Sequence, residues 1–207
     1  MSKYELTEEV CELNGKRLYR VRALVDFGAV SKGDLGGFVE SELNLDQLGN
    51  AWVLGNAWVL GNARISGNAR ISGDAIVSGK AKISGNAWIY GDAWISGNAR
   101  ISGDAWISDD AIVYDDACIS GKAKISGNAR IYGDAQIFGD ARISGNAWIS
   151  GKATVYDACI SGKAKISGKA IVSGNARISG KTIVSGKARI SGKARISGNA
   201  RISGELS

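Results

Sequence analysis

The chain contains no histidine, so the side chains that could do chemistry are carboxylates, thiols, amines and aromatic rings. A general base needs a pKa near the working pH, which imidazole supplies most readily, and a three-nitrogen metal centre needs imidazoles outright. Carboxylates could act instead. However, Asp74, Asp92, Asp104, Asp134 and Asp140 all fall in one recurrent slot that Asn and Lys also occupy. Free exchange of that kind marks turn residues rather than catalysts. Asp109-Asp110 and Asp115-Asp116 form the one acidic patch. Oxygen ligands there could hold a cation, but Asp-rich turns explain the pairs without one. Cys11, Cys118 and Cys159 are too scattered for a disulfide framework and have no base beside them. The sequence therefore assigns no catalytic residue, no metal and no cofactor, and the free thiols fit a reducing cytoplasm.

Aromatic and cationic side chains are the second resource. Trp52, Trp58, Trp88, Trp94, Trp106 and Trp148 all follow an Ala in the same phrase, a slot shared with Arg70, Arg100 and Arg142. Six tryptophans held outward would be unusual for a simple solvated surface. They could form a subunit interface, or stack on sugar rings or nucleobases with Arg beside them.

The phrase that positions these residues is Ala-X-Ile/Val-Ser-Gly-Asn/Asp/Lys. Ala63-Arg64-Ile65-Ser66-Gly67-Asn68 is one clear copy; eighteen copies run from Ala51 to Ala153 and eight more from Ala158 to Ala200. Ala and the aliphatic residue are two apart, so an extended backbone turns both inward and X outward. Ser-Gly-Asn/Asp/Lys then bends the chain, Gly accepting positive φ. A Gly every six residues argues against helix, and collagen is excluded because Pro is absent and Gly does not recur every third residue. The period predicts an all-β solenoid of parallel strands, about nine three-sided coils and about 40 Å long at the strand spacing of stacked sheets. Taking every third copy puts Trp52, Trp88 and Trp106 on one side, Trp58, Trp94 and Trp148 on the next, and no Trp on the third. One residue is missing in Val155-Tyr156-Asp157-Ala158 relative to Val113-Tyr114-Asp115-Asp116-Ala117. That is a tightened corner, too short for a lid.

This register resembles the hexapeptide repeat of left-handed parallel β-helix proteins over residues 51–204, with Gly moved one place along. The left hand is implied by the resemblance; crossover chirality in general favours the right. Residues 1–75, through Leu18-Tyr19-Arg20-Val21-Arg22, Asp26-Phe27-Gly28, Gly33-Asp34-Leu35-Gly36-Gly37-Phe38-Val39 and Gly49-Asn50-Ala51-Trp52, also resemble the start of YdcK-like hexapeptide transferases and of phage- or prophage-borne repeat proteins. The transferase resemblance implies acyl or acetyl transfer, a histidine base and a trimer. The absence of His sets this chain apart from that mechanism.

Residues 1–50 read as an N-terminal β cap and entry to the first coil, with Tyr4-Glu5-Leu6 and Leu18–Arg22 as strands and Asn14-Gly15 as a hairpin signal; residues 51–207 form the solenoid. The N-terminal residues show no apolar signal core and no stretch could span a membrane, so a cytoplasmic protein is expected. The uncovered last coil suggests end-to-end association. Charge is uneven: residues 1–50 hold six Lys/Arg against nine Asp/Glu, residues 51–158 ten of each, and residues 159–207 ten against one. The basic end, with Arg177, Arg189, Arg195 and Arg201, could attract nucleic acid or serve as a solvated, self-repelling surface. The expected function is a non-catalytic binding or scaffold solenoid that forms a homo-oligomer, trimeric or end-to-end, or meets a protein, sugar or nucleotide partner. An acyltransferase without the usual His and a nucleic-acid binder are the alternatives.

Overall fold

The computed structural model describes residues 2–13 and 15–204. The described residues form an all-β parallel solenoid of about nine three-sided coils, entered through three longer strands. Ala and Ile or Val of successive phrases are buried together in one continuous column, almost all fully so. Each phrase contributes a strand two or three residues long, and the coil wall is built from parallel pairing between phrases three apart. Trp88, for example, pairs with Arg70 on one side and Trp106 on the other.

Pairing sorts the outward residues into three faces. The first carries Trp52, Trp88, Trp106 and Arg142, the second Trp58, Trp94 and Trp148, the third Arg64 and Arg100, as the period predicts. Levels are numbered along the axis, level 1 holding Trp52, Trp58 and Arg64, and level 9 holding Arg195 and Arg201. The corner glycines are held by stacking as well as by φ. At Gly103, φ is +70° and a Cβ would lie 2.7 Å from the carbonyl oxygen of Gly121. At Asp109 and Asp115 a non-glycine residue takes the same conformation, φ 58° and 59°. Their carboxylates accept hydrogen bonds from Gly127 N (2.9 Å) and Gly133 N (3.2 Å) on the next coil. Asp109 and Asp115, one of each acidic pair, are thus turn residues bonded to backbone. The missing residue is absorbed at one corner. Asp157 alone, with φ 50°, spans it, and its carboxylate accepts from Asp140 N at 2.7 Å.

At the N-terminal end, β1 (Tyr4–Leu13) and β2 (Lys16–Ala23) form an antiparallel hairpin whose sequence signal includes Asn14, outside the described residues. β3 (Leu35–Val39) pairs antiparallel with β2 and parallel with Trp58–Val59, so the hairpin prolongs the second-face sheet beyond level 1. A bridge from Leu45 to Ile65 starts the third face in the same way. The stacked column therefore begins at Val39, before the regular phrase. Asn44, buried, donates through Nδ2 to Ala63 O (2.9 Å) and Gly61 O (3.0 Å), terminating that face's hydrogen-bond ladder. Glu40 accepts from Lys16 Nζ at 2.9 Å and from Gly61 N, which together hold its carboxyl below its ordinary pKa.

Among the described residues no helix is long and apolar enough to cross a membrane.

Candidate aromatic and cationic faces

A strand fixes the outward side chain of each phrase directly beside that of the phrase three copies on, about 4.8 Å away. Aromatic and cationic residues in that slot must therefore stack. On the first face Trp88 and Trp106 are parallel within 6°, with ring centroids 5.3 Å apart. Arg70 lies over Trp88 (5.6 Å) and Lys124 over Trp106 (5.1 Å), so a cation closes each end of the pair. Tyr90, at the adjoining corner, meets the Trp106 ring edge-on at 6.3 Å. On the second face Trp148 lies between Arg130 (5.4 Å) and Lys165 (4.8 Å). Tyr132 meets it edge-on and stacks on Tyr114 at 5.1 Å. Such contacts contribute roughly 0.5–1 kcal/mol each at exposed sites. They stiffen the surface without covering it: Trp88, Trp94 and Trp106 stay 41, 51 and 39% exposed. Trp94 has Ile76 and Ile112 as its register neighbours.

The other tryptophans depart from the expectation of six outward, exposed rings. Trp52 is 1% exposed, covered by the N-terminal segment: Phe27 meets its ring at 5.3 Å and Tyr4 at 6.2 Å. It belongs to the core and is removed from the candidate surface. Trp58 is half-buried beside Phe38, which β3 lays against it. Cys11, Phe38, Trp58 and Ile76 line an apolar groove of about 390 Å³ there, edged by Asn56 and Asp74. Trp148 is half-buried between its two cations.

Arg70 is half-buried on Trp88, while Arg142 and Arg100 stand exposed on the first and third faces. Arg177, Arg189, Arg195 and Arg201 are exposed but divided among three faces, Arg177 and Arg195 sharing the first. The basic end is thus a collar around the axis. Cys118 and Cys159 are free, half-buried, and on different faces.

One feature of the corners escaped the sequence reading. Asn50 donates to Asn68 (3.0 Å), Asn68 to Asn86 (3.0 Å) and Asn86 to Asp104 (2.8 Å), a side-chain ladder up one edge. Asn98 donates to Asp116 at 2.9 Å on another. The signal was there: amide or carboxylate residues recur eighteen places apart.

The family described as YdcK Beta solenoid repeat matches residues 63–79, 93–108, 123–137, 135–151, 170–186 and 194–205. No curated protein matches the chain. Three parallel sheets and this repeat match together define a β-solenoid repeat protein, similar to the YdcK repeat.

Proposed function

We propose that this chain is a non-catalytic solenoid whose outward Trp and Arg/Lys side chains are association surfaces, for its own copies or for a macromolecular partner. The observation that carries the reading is the row Arg70–Trp88–Trp106–Lys124, four levels of aligned cations and rings with both indoles still open to solvent. A backbone that holds such groups at strand spacing loses little conformational entropy on binding. The chemistry of the remaining polar groups supports the same reading. Asp104, Asp109, Asp115 and Asp116 are committed to neighbouring coils through hydrogen bonds, which suits turns better than proton transfer. A cytoplasmic location and the phage or prophage origin implied by the N-terminal resemblance go with this proposal.

The test compares wild type with Trp88→Ser/Trp94→Ser/Trp106→Ser. Self-association is followed by light scattering, and binding of a single-stranded oligonucleotide and a neutral oligosaccharide by titration. At least one of these associations should occur in wild type and weaken tenfold or more in the variant, which should still unfold cooperatively in denaturant. Acetyl group transfer from acetyl-CoA to amine or sugar acceptors, or associations indifferent to all three substitutions, would overturn the reading.

A further inference from the structure

The second face differs from the others in how its charges are arranged. Its two edges are the corners entered before each strand and left after it. In levels 2 to 5 these corners carry Asp74, Asp92 and Asp110 before the strand, and Asp116 and Asp134 after it, with Lys80 the one cation. In levels 6 to 9 the same two edges carry Lys163 and Lys181, then Lys152, Lys169 and Lys187, with no acid among the described residues. Between the edges the outward column is mainly apolar up to Ile112, then alternates with cations. One half of the face is thus an electrostatic complement of the other half.

We infer that the second face binds a second copy of this chain, axes antiparallel, about a two-fold that runs along the strand direction between levels 5 and 6. This rests on the association reading above and names its partner. The rotation brings each level n against level 11 − n and keeps each edge opposite itself. Asp110 then faces the partner's Lys163 and Asp92 the partner's Lys181 along one edge. Along the other, Asp134, 3.9 Å from Lys152 of its own chain, also faces the partner's Lys152. Asp116, which accepts from Asn98 through Oδ1, faces the partner's Lys169 with its second oxygen. Symmetry forms each pair twice. Within the column Arg130 meets the partner Trp148, and exposed Trp94 meets Ile183. Bulk is complementary too, since Tyr132 and Tyr114 come opposite the small Ser150 and Ser167.

Arrangements with parallel axes, including a trimer about a three-fold, bring each level against itself. Lys163, Lys165 and Lys169 would then gather with their own copies, an arrangement that like-charge repulsion opposes. Steric fit also favours the antiparallel pair. Level 1 lies outside the overlap, and β1 and β2 extend the same sheet further beyond it, so the two hairpins lie at opposite ends of the pair and do not meet each other. Eight levels make a strip about 38 Å long, and a side about 16 Å wide gives about 1,200 Å² of buried surface in total, the lower end of stable specific interfaces.

The test is mass by light scattering over a concentration series of the full chain and two exposed charge variants, Asp92→Lys/Asp110→Lys and Lys163→Asp/Lys181→Asp. Wild type should have a two-chain mass. Each variant alone, now opposing like charges, should dissociate at least tenfold more readily. An equimolar mixture of the two, in which every opposed pair is again Lys–Asp, should regain the two-chain mass. A one-chain or three-chain wild type, or a mixture no tighter than its components, overturns the proposal. A one-chain protein that binds an oligonucleotide through Lys163 and Lys181 does so while leaving the association reading intact. Acetyl transfer would defeat that reading without touching the dimer.

Discussion

Trp88 and Trp106, eighteen residues apart, sit in register on adjacent coils with their indoles parallel. Two indoles in such contact couple electronically. The far-UV circular dichroism of the protein should show a paired band near the indole transition. Trp88→Phe and Trp106→Phe should each abolish it to the same extent, while Trp94→Phe, outside any aromatic pair among the described residues, should leave it. A band surviving either of the first two substitutions would mean that the rings do not stack.

The interior sets the second prediction. Each buried Ile is packed by the Ile or Val of the coils before and after it, as Ile107 is between Ile89 and Ile125. Ile107→Ala should cost about 2–5 kcal/mol. Ile196→Ala, near the last coil and only partly buried, should cost less than half of that. Because each coil touches only its neighbours, the central change should also split chemical unfolding into two transitions, measurable by far-UV signal against denaturant. Equal costs at both positions would contradict the layered core.

Corner strain yields a third. Asp109 holds a positive φ that costs about 1 kcal/mol or more for a non-glycine residue, and offsets it with the bond from Gly127 N. Asp109→Gly should change stability by less than about 1 kcal/mol, exchanging the bond for relief of strain. Asp109→Ala retains the strain and loses the bond, so it should cost about 1–2 kcal/mol. Denaturation midpoints of the two variants decide it; Gly no better than Ala would remove the strain argument.

Lys3 supplies a pH dependence. Its ammonium is buried, donates to Ala51 O at 3.0 Å and lies over the Phe27 ring, and burial pulls its pKa down to about 8 from 10.5. Between those values the unfolded chain binds more protons than the folded one, so stability should rise with pH across that window. Below about pH 8 the full cost of burying the charge is present. The urea midpoint of wild type should climb more steeply between pH 8 and 9.5 than that of Lys3→Met. Parallel curves would place the ammonium in solvent.

What the sequence made legible was whatever the period controls. The two-residue offset of Ala and Ile put both inside, and counting in threes placed Trp88 and Trp106 on one face and Trp94 on the next. Trp52 lies on the expected face but is covered, because its burial comes from Tyr4 and Phe27, residues before the regular phrase whose packing no period encodes. Asn44 likewise terminates a ladder whose existence depends on the bridge from Leu45 to Ile65. Asp109-Asp110 and Asp115-Asp116 could be read as turns from their slot, but the bonds to Gly127 and Gly133 required the stacked backbone. The complementarity of the second face's edges lay in the sequence as well, visible only once the corner residues are ordered by level.

The central claim, that the second face with its outward Trp94 holds this solenoid to a second copy of itself, is tested most directly by the mass of wild type beside Trp94→Ser under one set of conditions. Trp94 is half-exposed, so its replacement leaves the core intact. The account predicts a two-chain particle that falls to one chain on substitution. A particle of the same mass in both proteins would contradict it.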